Sequence, residues 1–515
     1  MMKRFLAVFL VLCTLMCLLC ACGEATSSSS GTKNETTASA RAATNEIVVG
    51  IAQDLDNSLD PYQSSAAGTR EVMFNVFEGL VKPNSDGDLV EAVASKYEIT
   101  DGGLTYTFTL REGVVFHNGA TCTTDDVLYS FETCASTSVY ANVVEALSAI
   151  TAITVEGQNI IVQLAEPNPD FLAILTSVQI VPAGYTDQAT APVGTGPFKY
   201  ASRSVQENFV LEKHTEYYGE PAKLDKVTYR IYEDSSAVIT ALESGALDMM
   251  AHLTTDQINN LTNGYTVLEG TMNLVQAVYL NHRFEPFSDP LVRQALCHAI
   301  DVDTLMAINA DGHGTKVGSS MYPNFSKYFD ASLAQTYPYD VAKAKELLAQ
   351  AGYGDGFSFR LALPSNYPQH VAAGVVIAEQ LKAVGITVEI EKVEWNTWLE
   401  DVYANRNFDA TIVGFDASIL SPTALLARWV SDSGKNMIGF NNEEYDQTYA
   451  EAMKCVDDEE QTQLYKRCLE ILNETAANVY LQDLADFVAM HPDLEGFEFY
   501  PLYVIDMSTV YWTNP

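Results

Sequence analysis

Short segments rich in β-branched and aromatic residues recur along this chain, and amphipathic stretches with helical spacing lie between them. The strand-like segments read EIVVGIAQ, LTYTFTLR, NIIVQLAE, KVTYRIYE, SFRLALP, ITVEIEKVEW and DATIVGF. One amphipathic stretch, DVAKAKELLAQAG, starts at Asp340 and stops at Gly352, and HVAAGVVIAEQLKAVG stops at Gly385. Helices that alternate with strands cover the faces of a sheet, so the sequence predicts an α/β fold. With 515 residues, the chain is long enough for more than one domain.

The N-terminus predicts export and anchoring. A short basic head precedes an apolar run over residues 5–19, which has the layout of a secretory signal and is short for a membrane span. The run ends in LCACG, which resembles the lipobox of bacterial lipoproteins. That pattern implies that residues 1–21 are a signal peptide and that Cys22 becomes the acylated N-terminal residue. Cys17 and Cys20 form a C-x-x-C pair that would suggest a redox or metal site in a folded domain, but they belong to the signal.

Residues 22–45 are predicted to form a flexible tether, because they are rich in Ser, Thr and Ala and include no aromatic residue. The formal net charge is −38, and loss of Lys3 and Arg4 with the signal would make it −40. This charge excludes nucleic acid as a partner and repels an anionic bilayer, so the lipid on Cys22 is the predicted membrane contact. We therefore expect a body held at the outer face of the bacterial cytoplasmic membrane.

Catalytic and metal-binding motifs do not occur in the sequence. It has no G-x-S-x-G, H-E-x-x-H, Walker loop or G-x-G-x-x-G, which predicts a protein that is not an enzyme and holds no cofactor. The segment DLDNSLD begins like an EF-hand loop, but Leu59 and Ser65 stand where the turn glycine and the last glutamate belong. The body has five cysteines without metal-ligand spacing, which we interpret as buried free thiols, with a Cys122–Cys134 disulfide as the open alternative. They are Cys122, Cys134, Cys297, Cys455 and Cys468.

Several long stretches carry a family resemblance. Among them are VMFNVFEGLVKPNSDGDLVEAVASKYEITDGGLTYTFTLREGVVFHNG, PVGTGPFKYASRSVQENFVLEKHTEYYGEPAKLDKVTYRIYE, YLNHRFEPFSDPLVRQALCHAIDVDTL and AKAKELLAQAGYGDGFSFRLAL. In this order they resemble the family 5 extracellular solute-binding proteins, which are the peptide, nickel and opine receptors of ABC importers. The resemblance covers residues 46–515. It implies a monomeric, lipid-anchored receptor that captures an oligopeptide or a similar small polar nitrogenous solute and delivers it to a permease, with separate ATPase subunits as partners.

The same resemblance implies a periplasmic-binding-protein-like fold, in which two lobes close on the ligand about a hinge. An extra α/β domain is inserted in the first lobe. Carried onto this chain, the first lobe would comprise residues 46–82, 191–279 and 489–515. The inserted domain would be 83–190, and the second lobe 280–488.

One predicted strand end has the best candidates for ligand contacts. Peptide receptors of this family typically have a Trp before a helix and a later strand with the pattern GW-x-x-D, whose Asp takes the α-ammonium group. Trp395 fits the first position, and Gly414 and Phe415 fit the GW pair. Ser418 stands where the Asp belongs, and a serine has no charge to offset a buried ammonium group. Asp416, on the same strand face, is the candidate substitute; the alternative is a ligand without a free N-terminus.

Four other polar residues are weaker candidates. Asn436 lies in SGKNMIGFNNEEYD, which resembles a family stretch near the cleft, and Asn281 lies near a predicted crossing between lobes. Asp56 and Asn57 follow the first strand and would line the opposite wall. The alternative functions are a receptor for nickel or a metal chelate in the same fold, which the lack of clustered His and Cys disfavours, and a surface-anchored hydrolase or adhesin.

Overall fold

The computed structural model describes residues 38, 40–64, 66–232, 235–262, 264–417, 419–455 and 457–514. Two large mixed sheets and one small antiparallel sheet organise these residues. Each segment with a strand-like sequence forms a strand in one of the three sheets. The predicted α/β fold is confirmed.

The first large sheet has seven strands. In spatial order they are β12 (Thr266–Thr271), β19 (Ala485–Met490), β11 (Met249–Leu253), β1 (Glu46–Ile51), β10 (Lys226–Ile231), β9 (Asn208–Lys213) and β8 (Phe198–Ser204). The central strand β1 is parallel to both of its neighbours. Strands in this setting are covered on both faces, which explains why EIVVGI is apolar without alternation and is buried after its first residue.

The second large sheet has six strands. In spatial order they are β14 (Thr315–Lys316), β18 (Val479–Asp483), β13 (Leu274–Leu280), β17 (Ala410–Asp416), β15 (Ser358–Pro364) and β16 (Thr387–Val393). Along β13, Val278 and Leu280 pack in a core with the helix Pro290–Ala299, whereas Ala277 and Tyr279 pack in a second core that includes Trp429. Alternate residues of one strand thus serve two cores, which is the arrangement of a three-layer α/β body.

The small sheet is antiparallel and has four strands. In spatial order they are β4 (Ala94–Thr100), β5 (Thr105–Leu110), β7 (Asn159–Leu164) and β6 (Ile150–Glu156). Two short pairs complete the strands, β2 (Val81–Pro83) with β3 (Leu89–Glu91) and β20 (Leu494–Glu495) with β21 (Tyr511–Trp512). Phe108 and Val162 of the small sheet share one core with Val49 and Phe209 of the first sheet, so the inserted unit rests on the first lobe.

Helices connect most of these strands. The α-helices are Ala67–Met73, Thr124–Thr137, Ala141–Ser148, Phe171–Ile174, Ser235–Glu243, Thr255–Asn259, Glu285–Ser288, Pro290–Ala299, Val302–Ala310, Val341–Gln350, Pro368–Leu381, Trp395–Thr397, Thr423–Leu426, Glu443–Ala452 and Asp458–Glu474, and short 3-10 or π segments are Leu175–Ser177, Ala331–Gln335, Lys382–Val384, Trp398–Ala404 and Ala427–Trp429. The Asp340 side chain caps the helix that follows it by accepting a hydrogen bond from the Lys343 amide at 2.9 Å. Gly352 and Gly385 have φ of 86° and 82°, the left-handed conformation that ends helices. Both predicted helix ends are confirmed.

The chain crosses between the large sheets at two adjacent points. β12 ends at Thr271 in the first sheet, and β13 starts at Leu274 in the second. On the way back, Leu484 separates β18 from β19, and the Met272 amide donates a hydrogen bond to its carbonyl at 2.8 Å. The boundaries drawn from the sequence, 279/280 and 488/489, therefore fall inside β13 and β19. We call the part built on the first sheet the first lobe, the part built on the second sheet the second lobe, and the small sheet with its helices the small domain.

The folded body begins before residue 46. Ala38 and Ala42 are buried in the core of the first lobe. The Arg41 guanidinium donates from Nε and Nη2 to the buried Asp248 carboxylate at 2.6 and 2.5 Å. The predicted tether, residues 22–45, is therefore too long at its C-terminal end. The predicted signal peptide and Cys22 lie outside the described residues.

The prediction about the body cysteines can be compared with the structure. All five body cysteines are free thiols, so the open alternative of a Cys122–Cys134 disulfide is not formed. Burial raises the pKa of both of these thiols to about 12. Within the described ranges, no helix is both long and apolar enough to cross a membrane.

Candidate functional site: the interlobe cavity

A cavity of about 550 Å³ lies beside the chain crossings, between the two lobes and the small domain. Its volume is in the range of about 300–1,000 Å³ that is usual for small-molecule sites. The first lobe contributes Ala67, Arg70, Met73, Phe74, Phe77, Glu78 and Lys82; the small domain Tyr140, Asn142, Val143, Thr176, Ser177 and Gln179; the second lobe Leu274, Tyr367, Asp416, Ala417 and Ile419; and the C-terminal segment Leu502, Tyr503, Val504, Asp506 and Ser508. A ligand in this cavity would therefore contact both lobes, the small domain and the C-terminal segment.

Asp416 is the predicted site residue that lines this cavity. It is the last residue of β17, lies opposite Leu274 in the strand pairing and is exposed. Phe415 points to the other face of the sheet, because side chains alternate along a strand. Its ring is buried against Tyr279 at 4.9 Å, and the Arg428 guanidinium lies 4.1 Å from the ring centre. Phe415 therefore belongs to the core of the second lobe and does not line the cavity.

Gly414 affects the shape of the cavity through the side chain of Leu274. A Cβ atom at this position would lie 2.5 Å from Cδ1 of Leu274, which is closer than side chains tolerate. Glycine thus allows Leu274 to lie across β17, where it forms part of the cavity wall. Ser418 lies outside the described residues, and its neighbours Ala417 and Ile419 both line the cavity.

Trp395 stands one layer behind the cavity wall. Its ring stacks on Trp398 at 5.0 Å and meets the Tyr367 ring edge-on at 5.2 Å. Tyr367 lines the cavity, whereas Trp395 is not among the lining residues. The Trp398 indole nitrogen donates to the Thr411 hydroxyl at 2.9 Å, which anchors this aromatic group to β17. Trp395 can therefore position Tyr367 without touching a ligand in the cavity.

The two predicted asparagines are buried, and their side chains form hydrogen bonds with backbone groups. Asn436 donates to the carbonyls of Val430 and Phe440, and its own oxygen accepts from the amides of Gly439 and Phe440. All four of its hydrogen-bonding positions are used within its own loop.

Asn281 lies at the opposite end of β13 from the cavity. It donates to the Phe408 carbonyl at 2.7 Å. Neither Asn281 nor Asn436 lines the cavity, and both side chains have structural roles.

Asp56 and Asn57 also lie outside the cavity. Asp56 accepts a hydrogen bond from the Ala66 amide at 2.8 Å, and its own amide donates to the Thr69 hydroxyl at 2.7 Å. These bonds hold the start of the helix Ala67–Met73, which carries Arg70 into the cavity wall. Asp56 thus positions a lining residue, and Asn57 is exposed on the same loop.

A buried carboxylate and a lysine neutralise each other on the first-lobe wall. Glu78 accepts hydrogen bonds from Lys82 at 2.8 Å, from the Tyr217 hydroxyl at 2.7 Å and from the Tyr218 hydroxyl at 2.6 Å. Burial lowers the pKa of Lys82, but the Glu78 carboxylate more than offsets this, so that the pKa lies well above its ordinary value. This wall therefore carries an ion pair, Glu78 with Lys82, whose charges balance each other.

Arg70 brings positive charge to the cavity from the helix Ala67–Met73. It is exposed, and its guanidinium lies 5.4 Å from the centre of the Tyr140 ring. Nη1 also donates to the Tyr140 hydroxyl at 3.2 Å, and that hydroxyl donates to the Ser64 carbonyl. Contact with an aromatic face orients a guanidinium without removing its charge.

Tyr503 connects the cavity wall to the chain crossing. Its ring is parallel to the His252 imidazole at 4.5 Å. His252 Nε2 lies 2.6 Å from Glu71 and Nδ1 lies 2.9 Å from Asp486, two residues after the crossing at Leu484. Burial lowers the pKa of His252, but the two carboxylates raise it well above its ordinary value. Because each ring nitrogen lies at hydrogen-bond distance from a carboxylate oxygen, this site favours the charged form of the imidazole.

Residues 88–437 match the family described as bacterial extracellular solute-binding proteins, family 5 (middle region). This chain belongs to that family. Its members are substrate-binding proteins of ABC importers for peptides or related ligands, and they are not enzymes. The predicted family, fold and lack of enzymatic activity are confirmed.

Individual proteins resemble most of the chain. The oligopeptide-binding protein AppA of Bacillus subtilis (strain 168) is 26% identical, and the alignment covers 97% of each chain. Heme-binding protein A of Haemophilus influenzae is 26% identical over 80% of this chain and 82% of its own length. The murein tripeptide binding protein MppA, in its unliganded open form, superposes with a TM-score of 0.81 at 23% identity, covering 91% of this chain and 97% of its own.

Sequence reasoning missed most of the lining of this family 5 cavity. Glu78 and Lys82 lie in VFEGLVKP, which we interpreted as part of the fold, and Arg70 lies just before that stretch. Tyr503 and Asp506 come from a C-terminal segment without a repeating pattern. The four charges among these residues were the available signal, but carboxylates are too abundant in this chain for charge alone to single them out. Among the described residues, no group of three or more His, Cys, Asp or Glu side chains is arranged to hold a metal ion.

Proposed function

We propose that this protein is a lipid-anchored receptor of an ABC importer and that it captures an oligopeptide, or a similar small polar nitrogenous solute, in the interlobe cavity. The observation that carries the proposal is that opposite charges line one cavity, with Asp416 on the second lobe and Arg70 on the first. A peptide has an ammonium group at one end and a carboxylate at the other, so it complements both walls. The relative named for oligopeptides, which aligns over nearly the full chain, supports the same ligand class.

In this proposal Asp416 receives the ammonium group. Ser418 has no charge, whereas Asp416 is exposed, lines the cavity and forms no ion pair with the described residues. Arg70 faces the carboxylate end, held over Tyr140. Lys82 contributes less to binding the carboxylate, because Glu78 already balances its charge.

Closure of the lobes would surround the ligand. The two crossings lie side by side, at residues 272–273 and at Leu484, so that they form a compact hinge. The receptor would act as a monomer at the outer face of the cytoplasmic membrane, held by the lipid on Cys22, and would present its cargo to the permease. The lipobox-like sequence and the apolar run before it support the anchor.

The test uses the mature chain, residues 22–515, without the lipid. Mass spectrometry of the solute released by gentle unfolding would identify the ligand class, and a peptide screen would follow. A peptide present at 100 times its Kd should stabilise the protein by about 2.7 kcal/mol and reduce the radius of gyration in small-angle scattering. The same peptides, acetylated at the N-terminus and amidated at the C-terminus, are the matched control. The proposal fails if no peptide produces either a thermal shift or compaction.

A further inference from the structure

A second cavity, of about 560 Å³, lies between the small domain and the second lobe. It adjoins the ligand cavity along two chain segments. In the small domain, Ala173 lines the second cavity and Thr176 the first; in the second lobe, Leu420 lines the second cavity and Ile419 the first. The two cavities are therefore neighbours with a shared wall.

A polar bridge joins the small domain to the second lobe at the second cavity. The Ser421 hydroxyl donates to the Asp170 carboxylate at 2.5 Å, and the Thr423 hydroxyl donates to the other oxygen. Asp170 belongs to the small domain, and both hydroxyls belong to the second lobe. The second cavity is thus also an interlobe space, and movement of the second lobe would change both cavities together.

The lining of the second cavity favours a cation. Asp86 and Asp88 are exposed on the small-domain side, and Tyr97 lies on β4. Lys327 is the lining cation among the described residues, and it is paired with Asp458. The Asp86 and Asp88 carboxylates are therefore not balanced by a basic residue of the lining. Carboxylates and aromatic faces together form a good environment for an ammonium or guanidinium group.

Lys327 shows how this environment holds an ammonium group. Its Nζ lies 5.5 Å from the centre of the Tyr328 ring while it pairs with Asp458. A carboxylate on one side and an aromatic face on the other thus already accommodate one amine at the wall. Asp86 and Asp88 offer the same carboxylate chemistry in the same cavity.

We propose that the second cavity is a subsite that receives the distal part of the solute and selects a basic side chain there. The inference rests on the proposed peptide function and deepens it. A peptide long enough to pass the shared wall would leave one end at Asp416 and place a lysine or arginine side chain near Asp86 and Asp88. The receptor would therefore prefer longer, basic peptides.

The test is a lysine scan. Seven heptapeptides, each polyalanine with one lysine at a different position, and heptaalanine itself would be titrated calorimetrically into the mature chain. At one or two neighbouring positions, lysine should tighten binding by about tenfold. The double variant Asp86→Asn/Asp88→Asn should lose that gain and bind heptaalanine as the wild type does. The control, Glu98→Gln/Glu112→Gln, removes two exposed charges outside both cavities and should keep the gain.

Each outcome decides one of the two proposals. If the wild type binds no heptapeptide, the subsite is refuted; if it also binds no shorter peptide of the screen, the peptide function fails with it. If the wild type binds heptaalanine and all lysine peptides equally, only the subsite is refuted. The subsite is also refuted if Asp86→Asn/Asp88→Asn retains the positional gain, or if the control variant loses it to the same extent.

Discussion

Removing the charge of Asp416 would measure how completely the ligand's ammonium group is buried. Asp416 is exposed at the end of β17, and an ion pair formed at such exposure contributes only about 0.2–1 kcal/mol. If the lobes close over the pair, removing the carboxylate should cost roughly 2–5 kcal/mol, because the ammonium would stay buried and unpaired. That range corresponds to a weakening of Kd by about 30-fold to several thousand-fold. We expect the larger effect, since the cavity lies at the hinge between the lobes.

The assay is titration calorimetry with one identified peptide in its free-amine and N-acetylated forms. Asp416→Asn should strongly weaken binding of the free-amine peptide. The acetylated peptide should bind the variant and the wild type with the same low affinity. A thermodynamic cycle of the two changes isolates the pair. Ser418→Ala should cost only about 0.5–1.5 kcal/mol, the contribution of a neutral hydrogen bond. Asp432→Asn is the matched control, because Asp432 is exposed and lies outside both cavities.

Three results would refute this reasoning. Wild-type affinity for Asp416→Asn would show that Asp416 does not bind the amine. Additive effects of acetylation and substitution would place the ammonium group elsewhere. A loss below about 1 kcal/mol would mean that the pair stays hydrated and that closure does not cover it.

Three further predictions address the anchor, the N-terminal segment and the hinge. Cys22→Ala should prevent lipid attachment and release the protein from membranes, as fractionation would show; processed, detergent-dependent retention would contradict it. Arg41→Ala should destabilise the body by about 3 kcal/mol in urea unfolding, because the fully buried Asp248 carboxylate loses its counter-charge, whereas the exposed Lys96→Ala should change little. Burial raises the pKa of Asp483 to about 8, so its contribution to stability is complete below its ordinary pKa, near 4, and is lost as the pH rises through 8. Asp483→Asn should thus be more stable than the wild type at pH 8.5, with a difference that shrinks toward pH 5; urea unfolding curves with the same pH dependence for both proteins would contradict this.

Local sequence patterns were enough to predict the elements. The helix that follows Asp340 and the turn at Gly352 appear where the sequence predicts them. Strand β17 likewise forms within DATIVGF and the residue after it. These features depend on contacts within a few residues, such as a capping side chain, a left-handed glycine or alternation along a strand. Long motifs predicted the family, since they preserve many such local features in order.

The site was predicted less completely. Asp416 was named from its strand position, and it lines the cavity. Asn436 was named from a motif, yet all of its hydrogen bonds serve its own loop. Arg70 and Tyr503 were not named, because their roles depend on partners that are distant in sequence, Tyr140 and His252.

The sequence by itself determined the α/β class, the family and the charge, because each is carried by composition or by contiguous residues. The tertiary structure decided where the chain crosses between lobes, how far the folded body extends toward the N-terminus, and which side chains face the cavity. Asn75, for example, donates a hydrogen bond at 2.8 Å to the carbonyl of Ile505, 430 residues away. Contacts of this kind form only when sheets pair and lobes pack, and no local periodicity specifies them.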